Sequence, residues 1–307
     1  MKFLLMIGSI SLFLGMRVER DRVGRTISID QEGYVNQILH RFHLEAEKSV
    51  STPIEPGTSL LRRLGSSTVY PETGKPTSHY DEEQEEEAGQ KTYQEILGSL
   101  NYAATATRPD IAFAVGILGR FAADPARRHM RMAIRVMRYL NKTASYRLVL
   151  GDRNGKNGVS DCITLYTDSD FAGDPNSFKS TTGMTIKDRY KSIVAWHSKQ
   201  QSITAKSTAD AEFISTATST DEAVWLHKID IELHTLPEVY GKSYIPLRVY
   251  SDNQANVLNA NTRTHHTRSK TVGVKFHWLI DQVNDGMIVI LHISTTDMIS
   301  DGFTKPY

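Results

Sequence analysis

From Asp161 to the end of the chain, hydrophobic periodicity switches between strand and helix in an order that few folds accommodate. Short apolar or β-branched runs at Cys162–Thr167, Gly183–Ile186 and Lys191–Trp196 are bounded by Ser- and Asp-rich turns. A long helical pattern runs from Thr208 to Leu233. A strand at Leu247–Tyr250, helices near Asn253–Ala260 and Val272–Val283, a strand at Met287–Ile293 and a final helix near Thr296–Phe303 follow. Consecutive strands joined by short turns form an antiparallel meander, whereas a strand reached through a helix adds in parallel. The order predicts an α/β (α+β) domain over residues 161–307, a mixed five-stranded sheet flanked by helices.

Upstream, LFLGMRVERDRVGRTISID reads as two strands around a turn at Val23-Gly24, a buried hairpin whose upstream partners are missing. Gln31 to Phe42 places Tyr34, Val35, Ile38, Leu39 and Phe42 on one helical stripe. Over 49–90 the pattern collapses into Pro, Gly, Ser and Thr and then six acids between Asp81 and Glu87, the composition of an exposed, locally disordered linker. Helical periodicity returns at Thr92–Ala106 and Ile111–Ala122, separated by Arg108-Pro109, which breaks a helix. In PARRHMRMAIRVMRYLNKT, Pro125 takes a first-turn position and Met130, Ala133, Ile134, Met137 and Leu140 form the apolar face. The chain thus divides into segments 1–48, 49–90, 91–150 and 161–307.

With 36 Lys+Arg against 35 Asp+Glu, the net charge of +1 gives no global pull toward nucleic acid or a membrane surface, so a charged partner must be met locally. Arg127, Arg128, Arg131, Arg135 and Arg138 on one short helix offer such a place. Their stripe reads equally as a phosphate-contacting surface and as a solvated helix face. Cys162 stands alone, which excludes an internal disulfide and a cysteine-rich zinc site and makes a reducing compartment the default. The opening MKFLLMIGSISLFLGM imitates a signal peptide, but Gly8, Ser9 and Ser11 interrupt its apolar run and no small-residue cleavage pattern follows. It is also shorter than the roughly 20 apolar residues that cross a bilayer, so no membrane partner is expected.

Four acids sit at the ends of the C-terminal elements: Asp168 in LYTDSD, Glu212 in TADAEF, Asp252 in VYSDN and Asp301 in MISDGF. They are 44, 40 and 49 residues apart, so only the fold can bring them together. An apolar strand ending in Asp delivers a carboxylate to the sheet edge, where crevices form in open sheets. Taken singly, each acid is a common cap or turn residue. Taken together, the set makes a hard, oxygen-only site suited to magnesium or manganese.

The stretches YTDSDFAGD, FKSTTGM, IVAWHSKQQSITAKSTADAEF, EAVWLHK, VYSDNQA and DMISDGFTKP resemble the ribonuclease H domain of copia-type retrotransposon polyproteins. Upstream, SLFLGMRVERD, SIDQEGYVNQIL, VSTPIEPG, YQEILGSLNYAATATRPDIAFAV and RVMRYLNKT are similar to the segment before that domain: the end of the reverse transcriptase palm, the thumb and the connection. The resemblance covers nearly the whole chain apart from the acidic linker, and implies a ribonuclease H-like fold after a mainly helical remnant. It implies a two-metal endonuclease acting on the RNA strand of an RNA:DNA hybrid, with two Mg2+ ions (Mn2+ as substitute) roughly 3.5 to 4 Å apart. Asp168 would bridge both ions, Glu212 and Asp252 complete one coordination sphere, and Asp301 help to hold the other. Ser169, Asn253 and Gln254 beside the acids are candidates to read the 2′-hydroxyl. Lys199, Gln200 and Gln201 are candidates for backbone contact, and Arg127, Arg128, Arg131 and Arg135 for nucleic-acid binding.

Two departures qualify the resemblance. No paired-aspartate turn of the YVDD kind occurs, so no polymerase activity is expected from this chain, and the missing palm would come from other polyprotein segments. Where family members carry a KHID-like sequence, residues 270–273 read Lys-Thr-Val-Gly. His265, His266 and His277 remain nearby, and His197 is expected to pack beside Trp196. The alternative to a working nuclease is a decayed remnant that at most binds nucleic acid. By family, the location expected is a cytoplasmic virus-like particle with later nuclear delivery.

Overall fold

The computed structural model describes residues 10–55, 57–58, 60–61, 89–151, 160, 162–234, 245–254, 257–258 and 270–305. The acidic run at 81–87 and the stretch around His265 and His266 lie outside them. The N-terminal strands are β1 (Leu12–Phe13), β2 (Met16–Asp21) and β3 (Thr26–Asp30). The β2–β3 turn is the expected one, where Asp21 Oδ1 accepts the backbone N–H groups of Val23 (3.0 Å) and Gly24 (2.8 Å). The hairpin is not buried, however: Leu12, Phe13, Leu14 and Val23 are exposed. Its further partner comes from downstream. β4 (Leu148–Gly151), inside a stretch expected to be helical, pairs antiparallel with β3 and completes the order β1-β2-β3-β4. Four residues are too few to show a period, and their pairing with Thr26–Ile29 is decided across the fold.

Four helices follow the sequence pattern: α1 (Glu32–Arg41), α2 (Gln90–Ala106), α3 (Ala112–Gly119) and α4 (Arg127–Lys142). Their stripes meet in one core that includes Val35, Leu39, Tyr93, Leu100, Ile111, Leu118, Met137 and Leu140. The break before Pro109 holds this core together. Arg108, 2% exposed, has left the helical backbone region and donates to Asp110 (2.9 and 2.7 Å) and to the Thr143 carbonyl at the end of α4 (3.0 Å). Pro125 precedes the N-cap Ala126 and so stands outside the first turn of α4. His129 Nδ1 accepts the Ala126 N–H there (2.9 Å).

The start of the supposed linker is folded. Ile54 and Leu60 are buried in the helical core. Arg128 donates twice to the Leu61 carbonyl (3.0 and 2.8 Å), Arg135 pairs with Glu55 (2.6 Å) and donates to Thr52 Oγ1 (3.0 Å), and Arg138 donates to the Lys48 carbonyl. Composition marked this segment as a spacer because its few apolar residues carry no period. Long-range contacts supply the order instead.

The C-terminal sheet contains β5 (Thr164–Ser169), β6 (Thr181–Lys187), β7 (Ile193–Gln200), β8 (Leu247–Ser251) and β9 (Ile288–His292). Its order is β7-β6-β5-β8-β9, antiparallel across the first three strands and parallel from β5 to β8 to β9. This is the mixed five-stranded α/β sheet expected from the element order. Helix α5 (Thr208–His234) provides the crossover and packs on β5, β6 and β8, while α6 (Lys270–Asn284) packs on α5 and β9. The last element is not an α-helix but two 3₁₀ turns, Thr295–Asp297 and Ile299–Phe303. Ser300 fixes the second by donating to the Tyr166 carbonyl (2.8 Å). Among the described residues, no helix is long and apolar enough to cross a membrane.

The two units are packed together. Trp196 Nε1 donates to the Ala104 carbonyl (2.8 Å), Arg120 to Thr181 Oγ1 (3.0 Å) and Asn176 to the Leu60 carbonyl (3.0 Å). α3 lies against β7 at Gly116, where a Cβ would stand 2.8 Å from the Ser198 carbonyl oxygen. Because that oxygen belongs to a paired strand, we expect Gly116→Val to destabilise the chain by about 1–3 kcal/mol, checked by urea unfolding. Parental stability would show that α3 can lift from β7 without cost.

Candidate active site

The pairing register of β5 and β8 builds the site. Tyr166 lies beside Tyr250 in a parallel ladder, so two residues on, Asp168 and Asp252 reach the same end of the sheet on the same face. Glu212 comes from the start of α5, which is capped by Ser207 accepting the Asp210 N–H (3.1 Å). Small hydroxyl residues let this helix sit close to β5. Ser215 Oγ lies 2.8 Å from Thr167 Oγ1 and donates to the Asp168 carbonyl (2.7 Å). Asp168, Glu212 and Asp252 consequently offer carboxylate oxygens all within 4.8 Å of one another.

Asp168 and Glu212 are buried and Asp252 is partly so. Burial, reinforced by Asp252 and Asp301, pushes the Asp168 carboxyl up to about 6, against the pull of the Thr304 hydroxyl and Lys305. Burial also raises Glu212 to about 8, with Asp168 and Asp252 adding to the effect. Glu212 Oε1 accepts the Ser169 backbone N–H (3.2 Å), while Glu212 Oε2 is buried without a hydrogen-bond partner. An unpartnered oxygen among three crowded carboxylates fits a hard divalent cation, which would satisfy it and neutralise the repulsion.

Asp301 is close enough to influence Asp168 but stands outside the three-acid group, with its Oδ1 paired to Lys305. Ser169 is buried at the end of β5, Asn253 is partly buried and Gln254 is exposed beside Asp252. Gln201 is not available for backbone contact: it is buried and donates to the Ala211 carbonyl (2.9 Å) and to Thr182 Oγ1 (3.3 Å). Gln200 donates to Asp174 Oδ2 (2.6 Å), whereas Lys199 is exposed. Arg128 and Arg135 are corrected likewise, since their guanidinium groups face the 48–61 segment rather than solvent; Arg127 and Arg131 stay on the exposed face of α4. His197 Nδ1 lies 3.4 Å from Glu222, and His277 is exposed on α6.

Four contributors escaped the sequence reading. Thr304 donates to Asp168 Oδ2, Thr295 to Asp252 Oδ2 (2.9 Å) and His292 Nε2 to the Asp252 carbonyl (3.2 Å), while Lys305 meets Asp301. Only Thr304 and Lys305 left a signal, their three- and four-residue spacing from Asp301. Gly183, opposite Asp168, allows the last turn to approach: a Cβ there would lie 2.7 Å from the Ser300 carbonyl oxygen.

No protein-family model matches the chain. It is 32% identical over 299 residues to the retrovirus-related Pol polyprotein from transposon TNT 1-94 of Nicotiana tabacum, covering 97% of this chain and 20% of that protein. It is 30% identical over 294 residues to the retrovirus-related Pol polyprotein from transposon RE1 of Arabidopsis thaliana, covering 96% and 18%. The chain belongs to the retrovirus-related Pol polyproteins of transposons. It spans about a fifth of the length of these Pol relatives. Among solved structures, LC11-RNase H1, isolated from compost by a metagenomic approach, is 18% identical with a TM-score of 0.33, over 47% of this chain and 92% of that one. The fold assigned to this Pol segment rests on its own strand order and register.

Protons on Asp168 and Glu212 are held more tightly in the folded chain than in the unfolded one. Their contribution to stability is therefore complete below the ordinary carboxylate range and is lost as pH rises through about 6 for Asp168 and about 8 for Glu212. In EDTA, the melting temperature should fall between about pH 5 and about pH 9, and Glu212→Gln should stabilise the alkaline protein by on the order of 1–2 kcal/mol. Calorimetric scans showing a flat profile, or a destabilised variant, would contradict the burial of these charges.

Proposed function

We propose that residues 162–305 form a metal-dependent endonuclease that cleaves the RNA strand of RNA:DNA hybrids, the ribonuclease H activity of a transposon Pol polyprotein. The observation that carries this reading is the convergence of Asp168, Glu212 and Asp252 around the unpartnered Glu212 Oε2. Family membership and the five-stranded mixed sheet support it.

Asp168, Glu212 and Asp252 would hold magnesium or manganese, with Asp301 contributing to a second position. Such ions would supply Lewis acidity toward a water and toward the leaving oxygen of a phosphodiester. The chain's own part is to orient and desolvate. Thr304 holds the Asp168 carboxylate, the Ser169 N–H that of Glu212, and Thr295 that of Asp252. Asn253, partly buried, and Gln254, exposed, follow Asp252 and would be the candidates to read a 2′-hydroxyl. Arg127 and Arg131 are the members of the α4 stripe that remain as candidates for phosphate contact. Polymerisation would need residues this chain does not carry, supplied by other segments of the polyprotein.

The test is cleavage of an end-labelled RNA:DNA hybrid in magnesium by the parent and by Asp168→Asn. We expect the parent to cut the RNA strand and the variant to lose at least about a hundredfold in rate. A folded parent that leaves the hybrid intact in magnesium and in manganese would instead identify a catalytically decayed remnant.

A further inference from the structure

Lys305 stands where two features meet. Its ammonium is paired with Asp301 Oδ1 one turn earlier and is influenced by Asp168 and Asp252 as well, which places it at the rim of the acidic cluster. Its side chain is 54% exposed. It also lines a pocket of about 380 Å3, together with Phe113 and Tyr139 of the helical unit and Phe303 of the final turn. The carboxylate in that lining, Asp110, is already engaged by Arg108 and Tyr139. Among the described residues lining the pocket, Lys305 is the cation, and the carboxylate of Asp110 is spoken for.

The backbone under this lysine is pinned. Thr304 is buried and donates to Asp168 Oδ2, and the Lys305 N–H donates to the Asp301 carbonyl (3.1 Å). Only the four-carbon stem can move, between Asp301 on one side and the pocket on the other. A divalent ion held by Asp301 would set a second cation close to the ammonium, and their repulsion would push the ammonium off the carboxylate. The displaced ammonium then needs an anion, and a nucleic-acid backbone lying along the acidic cluster would supply one.

We propose that Lys305 is a substrate-contacting residue that holds Asp301 in the metal-free protein and exchanges it for a backbone phosphate of the nucleic acid when a divalent ion takes Asp301. This rests on the nuclease reading above. Asp301 is then the weaker of the ion-binding positions, because a resident cation must leave first.

Manganese titration by calorimetry on the full chain tests the exchange without relying on turnover. The parent should show a tight class of site from the three buried acids and a weaker class. Lys305→Gln should tighten the weaker class by roughly fivefold, Lys305→Arg should keep parental behaviour, and Asp301→Asn should lose that class. Binding of a fluorescent hybrid in calcium reads the other half: the slope of log affinity against log salt should fall by about one in Lys305→Gln. A parental manganese isotherm or a parental salt slope in Lys305→Gln overturns the inference and leaves the nuclease reading intact. A parent that takes up no manganese defeats both.

Discussion

Three carboxylates brought within 4.8 Å of one another, two of them buried, repel each other and forfeit hydration, and the sheet holds them there regardless. The parallel register of β5 and β8 sets Asp168 level with Asp252, and the hydroxyl-rich face of α5 brings Glu212 over both. Partial relief comes from dipoles: the Thr304 hydroxyl on Asp168, the Ser169 N–H on Glu212 and the Thr295 hydroxyl on Asp252. None of these removes the net charge. The molecule stores an electrostatic cost at one end of its sheet, and the core of Leu165, Met184, Ile186, Val249 and Ile290 sustains it.

The helical unit is part of the same machine. β7 is an edge strand of the C-terminal sheet, and an edge left open invites pairing with other chains. Here α3 lies against it at Gly116, and Trp196 and Arg120 tie the two units by hydrogen bonds. The helical unit also forms one wall beside the turn that carries Asp301 and Lys305.

Much of the C-terminal half could be read from its residues, because period and order are local signals. The five strands and long helix appear within a few residues of their observed ends, and strand-end aspartates pointed to the end of the sheet where Asp168 and Asp252 lie. What escaped was decided over distance. β4 is too short to announce itself, Ile54 and Leu60 are buried by helices that their own neighbourhood does not mention, and the α4 arginines read equally as a phosphate surface and as a solvated face, whereas Leu61, Thr52 and Glu55 occupy Arg128 and Arg135. At the site, the paired state of Asp301 could not be foreseen either. A helix was expected where 3₁₀ turns set its geometry.

The closing strand β4 also governs the order in which this chain can assemble. Thr26–Ile29 on β3 must wait for residues 148–151, delivered only after α2, α3 and α4 have been made, and the N–H of Gly151 then reaches Ser192 in the other unit (2.8 Å). Until that moment β3 carries one unpaired edge, in the same small sheet as the exposed apolar residues of β1. Synthesis and folding are thus out of step across more than a hundred residues, a delay that raises contact order and leaves the emerging N-terminal sheet sticky for as long as the helices take to appear.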